Sequence, residues 1–342
     1  MLRLKWCVCV LAVALCAATS LAADGPTTRP ATFRNPLKQG GADPWMQYVD
    51  GWYYLSTTTG RNVKLRRARH IGELAHAPDV TVWEDRAPER SHGVWAPEFH
   101  RLPGPDGERW YLYVTAFDGK DDANHRLFVA QSTTDSPMGP YQTKAKLLTD
   151  PEDKFYAIDG TVLKRDDASM YFVWCGRPSD TGQGLYISKM ANPWTLEGSR
   201  LALQADGFGC KFVREGPEIL RHAGKTMLVY SMCGADTPDY RLGMLVADDG
   251  ADPLDPASWK QHPKVLFQRN DRAGVYGPGH NFFFKSPDGK EDWIVYHAKT
   301  GSRATYADRT TRAQRFTWNG DGTPNFGAPL AIETDIVVPS GE

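Results

Sequence analysis

Helical periodicity is scarce in this chain of 342 residues, and only stretches such as 71–76 and 256–259 suit a helical turn. Neither charge sign is in excess. With 40 basic residues against 41 acidic ones and no run of lysine or arginine, no surface is offered to a phosphate backbone, which excludes nucleic acid as a partner. Cysteine is sparse too: three of six fall in the first 16 residues, leaving Cys175, Cys210 and Cys233. These allow at most one disulfide and leave at least one thiol over. No two of the three stand two to four positions apart, so no zinc-type spacing exists. A P-loop, a dinucleotide fingerprint, a nucleophile elbow and an HExxH helix are all missing, and with them the chemistry each supports.

The N-terminus differs from the rest. Arg3 and Lys5 precede an almost wholly apolar stretch over 6–18, and Ser20-Leu21-Ala22 supplies small residues for cleavage. The pattern predicts a secretory signal peptide over 1–22, too short to span a bilayer comfortably. Cys16 would suit a lipid anchor only after a small residue, and bulky Leu15 precedes it. The expectation is a secreted or periplasmic protein with no membrane attachment once the signal is removed. Residues 23–33 read as a flexible leader, and 34–342 as one domain, because no Ser/Gly linker or low-complexity block interrupts the chain from about 35 to about 330.

What is present is repetition. Five aromatic strands recur: WYYLSTT from Trp52, RWYLYVTA from Arg109, SMYFVWCG from Ser169, KTMLVYSMCG from Lys225 and DWIVYHA from Asp292. Third elements follow at Leu127, Leu185 and Leu242, and Gly/Pro/Asp/Asn turns punctuate the segments. A strand-and-turn period of about 60 residues predicts an all-β fold, a five-bladed β-propeller. Tyr54, Tyr113 and Tyr171 are expected in the core between blades.

Upstream of each aromatic strand stands a polar residue in a Gly/Pro context: Asp43 in ADPW, Glu98 in WAPE, Asp159 in IDGT, Glu215 in EGPE and His280 in GPGHN. Any one of these is an ordinary turn residue. Five in phase converge on one axis in a propeller. Carboxylates gathered there cannot all stay ionised, so one becomes an acid beside a base. Glycoside hydrolysis needs that pairing.

The ordered series ADPW, WAPE, AIDGT, EGPEIL, GPGHN…SPDGKEDWIVYHA and RTTRAQ resembles glycoside hydrolase family 43, over about residues 35–330. That family comprises five-bladed propellers that act as arabinofuranosidases, arabinanases and β-xylosidases. ADPW, TPDYRLG and GPGHN together look most like its exo-acting α-L-arabinofuranosidase branch. The resemblance implies hydrolysis with inversion, with Asp43 as general base, Glu215 as general acid and Asp159 orienting the acid and raising its pKa. It implies pocket roles for Trp95, which could stack on a sugar, and for Glu98. Arg312 would reach the site from the last blade, with Arg309 and Arg315 close enough in register to take its place. His280 would face a hydrated calcium or other cation in the axial channel, while the chemistry itself needs no cofactor.

Rim segments are expected over 118–125 and 199–211, with His92 and Phe208 closing a pocket. The substrate implied is an arabinose- or xylose-containing polysaccharide or oligosaccharide. Competing readings are a β-xylosidase or endo-arabinanase of the same fold, a glycan-binding propeller without activity, and the retaining sucrose- and fructan-cleaving propellers.

Overall fold

Strands whose successive side chains point to opposite faces must be covered on both faces when both are apolar. Met170–Gly176 is buried at every position, and neighbouring sheets cover it from either side. Phe172 and Trp174 pack with Tyr113 of the sheet before, and Tyr171 and Val173 pack with Leu228 and Tyr230 of the sheet after. The same stacking links every successive pair of sheets, and the first core cluster joins the last sheet to the first through Phe282, Phe284 and Trp293. The sheets therefore close into a ring.

The computed structural model describes residues 31–178 and 182–342. Five four-stranded antiparallel sheets form the blades of a propeller. Blade 1 comprises Trp45–Val49, Trp52–Ser56, Val63–Ala68 and Val80–Trp83. Blade 2 comprises His92–Gly104, Gly107–Phe117, Arg126–Ser132 and Tyr141–Leu147, and blade 3 Ala157–Lys164, Met170–Gly176, Gly184–Asn192 and Thr195–Leu203. Blade 4 comprises Arg214–His222, Lys225–Met232, Arg241–Asp248 and Lys260–Gln261, and blade 5 Tyr276–Lys285, Asp292–Lys299, Thr310–Trp318 and Pro324–Asn325. Each predicted aromatic segment is the second strand of its blade. Tyr54, Tyr113 and Tyr171 are buried as expected. Among the described residues helix is confined to short 3-10 turns, two of them at Ile71–Ala75 and Pro256–Ser258. None of these helices is long and apolar enough to cross a membrane.

The N-terminal segment clasps the last blade. Leu37 N–H donates to the Thr311 carbonyl, Thr311 N–H to the Lys38 carbonyl, and the Asn35 amide exchanges two hydrogen bonds with the backbone of Ala313. The signal-peptide reading of 1–22 lies outside the described residues. Of the leader expected over 23–33, Thr32–Phe33 is instead a strand, pairing antiparallel with Ile336–Val337, and Phe33 is buried. A disulfide joins Cys210 to Cys233, and the Cys175 thiol is buried.

Candidate active site

Each inner strand has a left-handed residue near its head, Asp43 (φ 52°), Ala96 (44°), Asp159 (52°), Gly216 (52°) and His280 (46°), with Gly93 and Gly277 as second ones in blades 2 and 5. In blades 2–5 the ladder slips register here, as at a β-bulge, and in blade 1 the position falls just before the strand. The conformation costs a non-glycine residue roughly 1–2 kcal/mol, so something must hold it. In four cases a second-strand or strand-end side chain of the preceding blade does so, taking the N–H of the strained residue. Thr58 holds Ala96 at 2.8 Å, Thr115 holds Asp159 at 3.1 Å, Ser231 holds His280 at 2.8 Å, and His297 Nδ1 holds Asp43 at 3.2 Å. At the fifth boundary the corresponding residue is Cys175, opposite Ile158. Here Asp159 itself takes the Gly216 N–H through Oδ2 at 3.1 Å.

The five polar residues are thus not in one phase. Asp43, Asp159 and His280 occupy the bulge, Glu215 stands one residue before it and Glu98 two after. The consequence is spatial. Asp43, Asp159, Glu215 and His280 all line one cavity of about 550 Å³, with Trp95 beside them, whereas Glu98 does not line it. Glu98 falls at the first ladder pair beyond the bulge, as Glu218 and Thr161 do in their blades. Its carboxylate meets His100 Nε2 at 2.8 Å, and Thr161 donates to Glu218 at 3.2 Å. Burial, then the charge of Glu98, lifts Glu218 well above the usual carboxyl range. Glu98 therefore belongs to a separate polar cluster rather than to the pocket wall.

The carboxyls in the cavity are electrostatically unequal. Burial alone would raise Asp43, but Arg309, His280 and His297 outweigh it and hold the group well below the usual range. Their nitrogens stand 3.1, 3.3 and 3.3 Å from Oδ1, and Thr58 donates to Oδ2 at 2.7 Å. Asp43 is ionised. Both imidazoles are lowered, chiefly by burial, His297 to about 4. In the same cavity, burial pushes Glu215 up to about 7, with Asp43 adding and Tyr240 and Arg309 opposing. Burial also lifts Asp159 well above the usual range, and the charges of Glu215 and Asp43 add to it. Buried together, Asp159 and Glu215 titrate as a pair that retains a proton at neutral pH. Burial is the larger cause for each; the charge of Glu215 adds to the rise of Asp159, and the charge of Asp43 to that of both.

Two expected pocket residues stand elsewhere because their apolar surface has better company. His92 is exposed, with its ring edge-on to Phe117 at 6.3 Å, and it does not line the cavity. Phe208 packs against the core shared by blades 3 and 4. Arg312 is corrected as well. It lies inside the third strand of blade 5, fully buried, with Nε on Thr310 at 3.1 Å and neither terminal nitrogen hydrogen-bonded. Arg309, just ahead of that strand, reaches Asp43 instead. Arg315 pairs with Glu291 at 2.7 Å.

Of the expected rim segments, 118–125 contributes Asp122 to the cavity wall, while Val213 lies just past the end of the other. Trp95 stacks on His125 (3.9 Å, 25°). Sequence reasoning misses Tyr306, Arg177 and Gln183 on the wall, and Tyr240 and His297 behind it. Tyr240 donates to Glu215 Oε1 at 2.8 Å. The Gln183 amide, with its nitrogen toward Glu215 Oε2 (3.2 Å), has its oxygen toward Arg177 (3.3 Å). Among the described residues no group of three or more His, Cys, Asp or Glu side chains is arranged to hold a metal ion.

Residues 33–324 match the family model described as glycosyl hydrolases family 43. An extracellular exo-alpha-(1→5)-L-arabinofuranosidase of Streptomyces avermitilis is 37% identical over 90% of this chain, which spans 66% of that protein's length. An enzyme of the same name from Streptomyces chartreusis is 34% identical, covering 79% of this chain and 84% of its own. Among solved structures, an alpha-L-arabinofuranosidase from Lactobacillus brevis superposes with a TM-score of 0.79 at 33% identity, over 88% of this chain and 98% of that one.

Proposed function

The chain belongs to glycosyl hydrolase family 43, and from that premise we propose that it is an exo-acting α-L-arabinofuranosidase. It releases single arabinofuranose units from arabinan- or arabinoxylan-type chains with inversion at the anomeric carbon. The observation that carries the reading is the charge split within one cavity: an ionised Asp43 and a proton-bearing Asp159/Glu215 pair. Glycoside hydrolysis by either stereochemical course needs that split; in the inverting course proposed here the base activates water on one face of the sugar and the acid serves the leaving oxygen on the other.

In this reading Asp43 takes a proton from water as its oxygen bonds to the anomeric carbon. Glu215 gives its proton to the glycosidic oxygen as that bond breaks, and Asp159 keeps the acid protonated and oriented. Arg309 holds Asp43 ionised, and Trp95 and Tyr306 offer aromatic surface to the sugar. A hydrated calcium facing the His280 imidazole would have the carboxylates of Asp43 and Glu98 nearby. Since calcium prefers six to eight oxygens, waters would supply most of its shell. No chemical step runs through it. The names of the two Streptomyces relatives support a secreted location.

The test is a panel of para-nitrophenyl arabinofuranoside, para-nitrophenyl xyloside and linear arabinan, with products sized and the anomer followed by proton NMR. Arabinose alone, released first as the inverted anomer, is the expected result. Oligosaccharide products would make it an endo-arabinanase, xyloside preference a xylosidase, and retained configuration would overturn inversion. Binding without turnover would leave a glycan-binding module.

A further inference from the structure

Two residues that do not line the cavity connect two of its carboxyl-bearing residues, Glu215 and Asp43. The Tyr240 hydroxyl donates to Glu215 Oε1 at 2.8 Å. The ring of Tyr240 lies parallel to that of His297, with centroids 5.4 Å apart and planes 3° apart. His297 Nδ1 in turn is 3.2 Å from the backbone N–H of Asp43. Both side chains are fully buried. The path from Asp43 to Glu215 thus crosses blade 5 and returns to blade 4 through two stacked rings.

Comparison of the blades explains why a histidine stands there. Thr58, Thr115 and Ser231 use a hydroxyl to hold the strained residue of the next blade, and His297 does the same task with a ring nitrogen. A hydroxyl would hold Asp43 equally well, but only a ring offers a flat face for Tyr240. The glycines of the Gly277-Pro278-Gly279 run make room for the arrangement. A Cβ on Gly279 would stand 2.4 Å from the Tyr240 ring, and one on Gly277 would stand 2.7 Å from the Thr237 carbonyl. Part of the GPGHN motif is therefore a slot for Tyr240.

We infer that Tyr240, backed by His297, is a positioning residue that fixes the acid Glu215 in direction and in distance from Asp43. The inference rests on the proposed glycosidase reading. Other titratable and charged groups also face Glu215: Asp159, Tyr156 and Cys175 from blade 3, Asp43 from blade 1, Arg309 and Tyr306 from blade 5, and Asp236 from its own blade. Tyr240 donates to Glu215, so its bond favours the ionised carboxylate and opposes the burial that raises the group.

The test compares Tyr240→Phe and His297→Ser with wild type, the second variant restoring the hydroxyl used in other blades. Tyr240→Phe should move the Glu215 titration upward by roughly one pH unit, since a hydrogen bond to the charged form is lost. The Glu215 carboxyl is followed by carbon-13 NMR and identified with Glu215→Gln. On arabino-oligosaccharides kcat should fall roughly tenfold with KM little changed, while para-nitrophenyl arabinofuranoside, whose leaving group needs less acid assistance, should lose less. His297→Ser should lower kcat in the same pattern while remaining folded. A folded Tyr240→Phe protein whose Glu215 titration does not move overturns the inference. If wild type cleaves no arabinofuranoside at all, the proposed function falls, and the titration still decides the role of Tyr240.

Discussion

Asp159 Oδ2 accepts the backbone N–H of Gly216, the residue that follows Glu215, at 3.1 Å. The two coupled carboxyls are therefore joined by one hydrogen bond and one peptide unit. Asp159 has two separable effects, one of charge and one of support. Asp159→Asn keeps an acceptor for Gly216 and should fold with wild-type stability while kcat drops. Asp159→Ala leaves a buried N–H unpaired and should cost about 1–3 kcal/mol beyond Asp159→Asn. Denaturant titration of both variants checks the difference.

Glu215→Gln removes the transferable proton and preserves the shape of the side chain. Hydrolysis of arabino-oligosaccharides should fall by roughly 10²–10⁴-fold, and activated aryl arabinofuranosides should fall less. Asp43→Asn should abolish both, because no leaving group compensates for a missing base. Initial rates on the two substrate types separate these patterns.

The pH behaviour follows from opposite shifts. In the proposed mechanism activity needs Asp43 ionised, and its carboxyl lies well below the usual range, so the acidic limb should appear only in strong acid. It also needs Glu215 protonated, so kcat/KM should decline as pH rises through about 7. The sign for stability is separate. Glu215 is raised on folding, so between its unfolded value near 4.3 and about 7 the folded state binds more protons, and stability falls as pH rises. Asp43 is depressed, and its contribution, present above the unfolded value near 3.9, is lost as pH falls through the folded one. His280 and His297, lowered on folding, act in the opposite sense and Asp159 in the same one, so the Glu215 share is read as a difference: between pH 5 and pH 7.5 wild type should lose more urea stability than Glu215→Gln.

Arg309 and Arg312 should respond in opposite ways. Arg309→Met removes the nearest cation and the strongest charge holding Asp43 down, so kcat/KM should fall and the acidic limb should move to higher pH. Arg312→Met replaces a buried guanidinium whose terminal nitrogens make no hydrogen bond, so activity should stay within about twofold. Stability should hold or rise. A pH–rate profile and a thermal melt for each variant decide it.

The blades were legible because period-2 apolar patterning and turn residues are local signals. Asp43, Asp159, Glu215 and His280 were legible as a group because each stands beside a glycine or proline at the head of an inner strand. Their phase was not, because a bulge changes which residue faces the cavity and leaves no mark in composition; hence Glu98 was counted with the pocket. The choice between Arg309 and Arg312 depends on where a strand begins, to within three residues. Tyr240 and His297 act across blade boundaries, and nothing in TPDYRLG or WIVYHA says that the two rings will stack.

Asp43 precedes the first strand of blade 1, yet Arg309, His280 and His297 all come from blade 5 or the loop before its third strand. During synthesis the first blade leaves the ribosome with its carboxylate bare, and the residues that set its charge are among the last to arrive. The environment that ionises the proposed base is therefore complete only when the fifth blade docks against the first.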